Sequence, residues 1–269
     1  MPLTTRSAVR RELATFLGVA YAGVLVLALA FPAQPLVTVA MMAVPTAAVA
    51  VAIAVTTPRG ERRAAWAGIG LRWAGVRWFA LAAAVPAAIV ATSYAIAATF
   101  GVASFPGLGV IDPVSLALDL LIAGTLLALG EEIGWRGYLL PRLDTVLPAS
   151  SSALLTGFAH ALFHLPALLL TGVYQAAGPR AIVVPAVVVT MTLAGVLYAW
   201  LRRSSGSVWP VALAHSAFNT FWTTGALAAA VASPALFAVV TTETGLVTTA
   251  LAAVVAAVLI ARRTATPPH

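Results

Sequence analysis

Residues 113–139 read PVSLALDLLIAGTLLALGEEIGWRGYL. About 20 predominantly apolar residues suffice for one helix to cross a bilayer, and this run is longer than that. Yet it carries Glu131, Glu132 and Arg136 within its own length. A charge at the centre of a bilayer costs at least about 2.5–3.5 kcal/mol, so residues that bear it face a cavity, a partner or a substrate path. The stretch thus predicts a membrane helix together with a polar site inside the membrane.

The rest of the chain agrees with the first half of that reading. Of 269 residues, 61% are hydrophobic and 9% charged, and the mean hydropathy is +1.00. Soluble domains carry about 25% charged residues, which excludes an ordinary soluble enzyme. Disorder is excluded as well, since it needs low hydrophobicity and high charge. The expected fold is all-α: one integral membrane domain over residues 1–269, a polytopic transmembrane helical bundle. Apolar runs predict about eight spans, at 12–32, 35–57, 78–100, 113–139, 150–171, 181–201, 206–232 and 240–261. The first begins behind a basic stretch, as a signal peptide would. Its apolar run is nevertheless longer than the 7–15 residues usual there, so an uncleaved helix is expected. Residues 58–77 interleave arginines with Trp66 and Trp73 and read as a cytoplasmic interfacial segment. The tail Thr266-Pro267-Pro268-His269 reads as a frayed end.

Charge fixes an expected orientation. All 15 basic residues are arginine, against 8 acids, for a net charge of +7. In a soluble chain this would suggest a polyanion partner. Here arginines sort into the segments that stay cytoplasmic, and no nucleic acid is expected. With the N-terminus inside, thirteen arginines lie on the cytoplasmic side, in 6–11, 59–77, at 142, 202–203 and 262–263. Only Arg180 lies outside, and Arg136 is within a span. Both termini are expected in the cytoplasm, and the alanine- and valine-rich, lysine-free usage suggests a bacterial inner membrane. With no cysteine, thiol catalysis and thiolate metal sites are excluded.

The polar residues within the spans form three clusters. Glu131 and Glu132 point about 100° apart on a helix. Glu132 and Arg136, one turn apart, can pair, which leaves Glu131 facing a neighbouring helix as a candidate general base. His160 and His164 share a face of the fifth span, and an HxxxH pair can chelate a metal only with a third ligand such as Glu131 or His215. His215 and Asn219 share a face of the seventh span, suited to stabilising an oxyanion. A carboxylate, two histidines and an asparagine fit hydrolysis: Glu131 deprotonates water with help from His164, and His215 and Asn219 hold the charge that develops on the attacked carbonyl. Ser216 forms no Ser-His-Asp set. Asp119 and Glu243 read as structural or interfacial.

Glu131-Glu132-x-x-x-Arg136, His164-Leu165-Pro166 and His215-x-x-x-Asn219, in this order on successive spans, resemble the CPBP family of intramembrane glutamic endopeptidases. That family includes the type II CAAX prenyl proteases and the bacteriocin-processing Abi group, and the similarity covers about residues 113–225. The resemblance implies Glu131 as the water-activating base, His164, His215 and Asn219 as its catalytic partners, and Glu132 and Arg136 as supporting residues. The family's second motif often reads Phe-x-x-x-His, whereas this chain has His160 at the Phe position. His160 is thus a candidate extra pocket residue, and it keeps zinc in view although the implied mechanism uses no metal or cofactor. The expected partners are the lipid bilayer and a peptide or protein substrate, lipidated ones included. The alternative is a non-catalytic membrane scaffold or bacteriocin self-immunity protein. A transporter would suit intramembrane Glu and His, but the repeat symmetry common in such folds is not seen.

Overall fold

The computed structural model describes residues 6–172, 179–242 and 245–264. Glu243 and the tail at 266–269 lie outside the described residues. The architecture is all-helical, joined at one end by a two-residue β-ribbon. In chain order the main elements are α1 (Arg6–Ala30), α2 (Val37–Thr56), the short α3 (Arg62–Ala67) and α4 (Val76–Thr99). The continuous rod α5 (Pro113–Leu143) follows, then α6 (Ala149–Leu170), α7 (Arg180–Ser205), α8 (Trp209–Ala228), α9 (Pro234–Val240) and α10 (Leu246–Thr264). The ribbon strands are β1 (Ala103–Ser104) and β2 (Ala230–Val231), antiparallel, with Ala103 opposite Val231.

Helices stand near all eight expected spans. Six of them (α1, α2, α4, α5, α6 and α7) are long and apolar enough to cross a membrane. The other two differ for local reasons. Helix α8 spends four of its 20 positions on His215, Ser216, Asn219 and Thr220, and the apolar helix at Leu246–Arg262 is short. Residues 28–30 continue α1 without interruption. Pro45, Pro86, Pro166 and Pro185 sit inside α2, α4, α6 and α7. Membrane helices tolerate this because neighbours and hydroxyl groups take up the freed backbone groups.

In lipid the hydrophobic drive that packs soluble helices is missing, and close approach and polar contacts replace it. Gly157 on α6 and Gly195 on α7 let these helices touch, since a Cβ on Gly195 would lie 2.6 Å from the Gly157 Cα. Hydroxyl groups supply the polar part. Ser93 on α4 donates to the carbonyl of Thr241 at 3.0 Å and lies 3.1 Å from the Thr248 hydroxyl of α10.

The two ends of the bundle differ in chemistry. At one end arginines tie the segments together: Arg142 to Glu12 at 2.5 Å, Arg203 Nε to Asp144 at 3.0 Å, and Arg202 to the carbonyls of Gly68 and Ile69 at 3.0 and 3.1 Å. Arg72 donates at 3.0 Å to the carbonyl of Gly206, the left-handed residue (φ +68°) that ends α7. The other end holds the β-ribbon and the start of α5. There Asp112 accepts from the Ser115 hydroxyl and N–H and from the Val114 N–H, at 2.6, 2.9 and 3.2 Å. These bonds hold its carboxyl below the usual carboxylate range.

Candidate active site

Helix α5 is not uniform. Its backbone runs α-helical over Gly124–Glu132 and then widens into a π-helical stretch over Ile133–Leu139. Such wide turns are frequent at functional sites, and the same helix has a second one at Asp119–Ala123. Here every residue from Glu131 through Leu140 is buried. Glu131 and Glu132 sit at the junction and diverge as the helix requires. Glu131 turns to α6, and Glu132 turns to Arg136 and α8.

Arg136 Nη1 lies 2.9 and 3.0 Å from the two oxygens of Glu132 and 2.9 Å from His160 Nδ1. A guanidinium can only donate, so His160 accepts at Nδ1 and carries its ring proton on Nε2. That Nε2–H donates to Glu131 Oε2 at 2.6 Å. His164, one turn further along α6, brings its Nε2 to 3.5 Å from the same oxygen. On the other side, Glu132 Oε1 accepts from His215 Nδ1 at 2.9 Å, which leaves Nε2 as the second nitrogen of that ring. Trp135 stacks on His160, with centroids 5.1 Å apart. Tyr198 of α7 stacks on His215 at 5.9 Å and places its ring 4.7 Å from the Arg136 guanidinium carbon.

Glu131, His160, His164, His215 and Asn219 all line one cavity of about 740 Å³. The structure therefore gathers the sequence-derived residues from three helices. Glu132 and Arg136 lie behind the cavity wall, fully buried. Asn219 is exposed to the cavity. Ser216 points elsewhere, its hydroxyl donating to the Leu120 carbonyl at 3.0 Å. Asp119 lies apart from the cluster and accepts from Thr220 at 2.8 Å. Trp135 and Tyr198 were not anticipated. The chain holds seven Trp and five Tyr, and nothing in the spacing separates these two from aromatics that anchor helices at the interface.

Among the described residues two groups of side chains have metal-binding composition: Glu131 with His160 and His164, and Glu132 with His160 and His215. In the first, the donor atoms are 2.6, 3.3 and 3.5 Å apart, and tetrahedral zinc with bonds of about 2.0–2.1 Å needs ligand atoms about 3.3 Å apart. Distance alone would accept a metal. Proton placement opposes it. A ligating histidine gives its lone pair to the metal and donates its other N–H to an acceptor, whereas here the other nitrogen of His160 faces the donor Arg136. In the second group, Arg136 Nη1 already stands as the cation between Glu132 and His160.

Residues 113–221 match the family model described as type II CAAX prenyl endopeptidase Rce1-like. Over that segment the chain is similar to the Rce1-like family. The matched region contains Glu131, Glu132, Arg136, His160, His164, His215 and Asn219. No curated protein matches the chain. The six long apolar helices fit a multi-pass membrane protein, and the family that residues 113–221 resemble is one of endopeptidases.

Proposed function

We propose that the chain is an intramembrane endopeptidase of glutamic type, with residues 113–225 as the catalytic core of a single integral membrane domain. The bundle sits in a bacterial inner membrane with eight spans and both termini cytoplasmic, and residues 58–77 lie on the cytoplasmic interface. The observation that carries the mechanism is the setting of Glu131. One carboxylate oxygen is held at 2.6 Å by His160, with His164 at 3.5 Å, on the wall of a cavity that also presents His215 and Asn219.

In this reading a water molecule between Glu131 and His164 attacks the scissile carbonyl carbon and gives its proton to Glu131. The C–O bond forms as the carbonyl π bond becomes an oxyanion. The Asn219 amide donates to that oxyanion. His215 does so when protonated at Nε2, its positive charge balanced by Glu132 across the 2.9 Å bond to Nδ1. The intermediate then expels the amine, which leaves with the proton held by Glu131. No cofactor is required, and we propose none. Zinc is disfavoured because Arg136 fixes His160 as an Nε2–H donor, the opposite of what a metal ligand needs. The substrates are peptides or proteins of the membrane, lipidated ones included.

The test is cleavage of a quenched library of hydrophobic and lipidated peptides by the purified protein in detergent. Glu131→Gln and His164→Ala are compared with wild type, each with and without a chelator. General-base catalysis contributes roughly 10²–10⁴-fold, so Glu131→Gln is expected to lose about that much while the chelator changes nothing. Full activity in Glu131→Gln, or activity that the chelator abolishes, would overturn the mechanism. A folded wild type that cleaves nothing would return the chain to the scaffold reading.

A further inference from the structure

We infer that the substrate reaches this site from the extracytoplasmic half of the membrane, as an apolar peptide segment presented there. The inference takes the proposed protease as its frame, but its geometric basis is independent of cleavage. The arginine-tied end of the bundle gathers the termini of α1, α2, α5, α6, α7 and α8 that carry or adjoin Arg11, Arg72, Arg142, Arg202 and Arg203. Arginines mark the cytoplasmic side, so the end with the β-ribbon is the outer one.

From its floor at Glu131, Tyr198 and His215 the cavity extends toward that outer end. Its wall includes Thr38 and Met41 at the start of α2, Ala167 near the end of α6, Trp222 and Ala226 near the end of α8, and Thr248 at the start of α10. Each of these positions lies in the half of its helix away from the arginines. Toward the cytoplasm the site is closed. Trp135, Tyr138, Leu139 and Leu140 are at most 1% exposed, and Phe16 packs against Trp135 and Tyr138 with centroids 5.4 and 5.3 Å away. Glu131 stands twelve residues before the end of α5 at Leu143. Both the attacking water and the scissile peptide must therefore come down the open side. The lining there is dominated by Met41, Phe163, Phe218, Trp222 and Phe237, which suits an apolar segment and not a charged one.

The absence of cysteine makes the test direct. Single-cysteine variants of the full chain, Thr223→Cys and Ala226→Cys at exposed positions on the cavity wall and Ser204→Cys at the exposed arginine end, are expressed in bacteria and treated with a membrane-impermeant charged maleimide. The cavity thiols should react in intact cells at least tenfold faster than the Ser204→Cys thiol, which should react only after permeabilisation. An excess of a hydrophobic peptide should slow labelling at Thr223→Cys. The inference is overturned if Ser204→Cys reacts in intact cells, if the cavity thiols need permeabilisation, or if they react only after denaturation. A protein that cleaves but labels from the cytoplasm refutes the access route and leaves the protease. One that labels from outside but cleaves nothing does the reverse.

Discussion

The two halves of α5 are opposites. In its first half Leu118, Leu121, Ile122 and Leu126 are 53–59% exposed, although this is the most apolar part of the helix. In its second half Ile133 through Leu140, with Arg136 among them, are all buried. A soluble protein would bury the leucines and expose the arginine. In lipid a leucine gains almost nothing by leaving the acyl chains, while a charge left among them is costly. Burial is therefore decided by the polar residues, and the helix places its charged half where α6, α7 and α8 can surround it. Two adjacent carboxylates, three histidines and a guanidinium share that volume, with Arg136 bonded to Glu132 and His160, His160 to Glu131, and His215 to Glu132.

The largest effect should come from breaking that mutual answer. Arg136→Met leaves Glu132 buried with only His215 as partner. Removing one member of a buried ion pair typically costs about 3–5 kcal/mol, and here the loss should appear as a large drop in the denaturant needed to unfold the detergent-solubilised protein. Glu132→Gln combined with Arg136→Met removes the orphaned charge and should recover part of the loss. If the double variant is as unstable as the sum of the single ones, charge pairing is not what holds the buried half of α5.

A smaller effect should follow from pushing the walls apart. Gly195→Ala sets a Cβ 2.6 Å from the Gly157 Cα and 3.3 Å from Arg136 Nη2, so α7 must move away from both α6 and the guanidinium. Overpacking of this kind costs about 1–3 kcal/mol. Because α6 carries His160 and His164, the same substitution should lower the peptidase rate beyond what the lost folded fraction explains. An Ala variant with wild-type stability and rate would show that the crossing of α6 and α7 is loose.

Much of this was legible in the sequence, and the reasons are physical. A bilayer demands long apolar helices, so α1, α2 and α4–α7 announce themselves by length and composition. It also penalises charge, so Glu131, Glu132, Arg136, His160, His164, His215 and Asn219 stand out against an apolar background. Their helical spacing correctly paired Glu132 with Arg136 and put His160 and His164 on the same cavity wall. Two things were not legible. The partner of His160 comes from another helix, and spacing along α6 cannot reveal that Arg136 sets its tautomer. The direction in which the cavity opens depends on which ends of six elements stop short of contact, a property of packing with no local sequence signal.

The smallest effect belongs to the exposed half of α5 and is the sharpest check on the contrast. Leu121 is 59% exposed, and Leu121→Ala removes side-chain atoms that face lipid and not protein. In the core of a soluble domain a Leu→Ala substitution costs about 2–5 kcal/mol. Here no protein cavity is created, and lipid fills the space. The expected change is within about 0.5 kcal/mol, the range of substitutions away from packed features, with peptidase activity unchanged. The matching substitution in the buried half, Leu139→Ala at 1% exposure, should behave as a core deletion and cost several times more. Equal costs at the two positions would mean that Leu121 packs against protein in the membrane, and that the exposed half of α5 is covered by another chain.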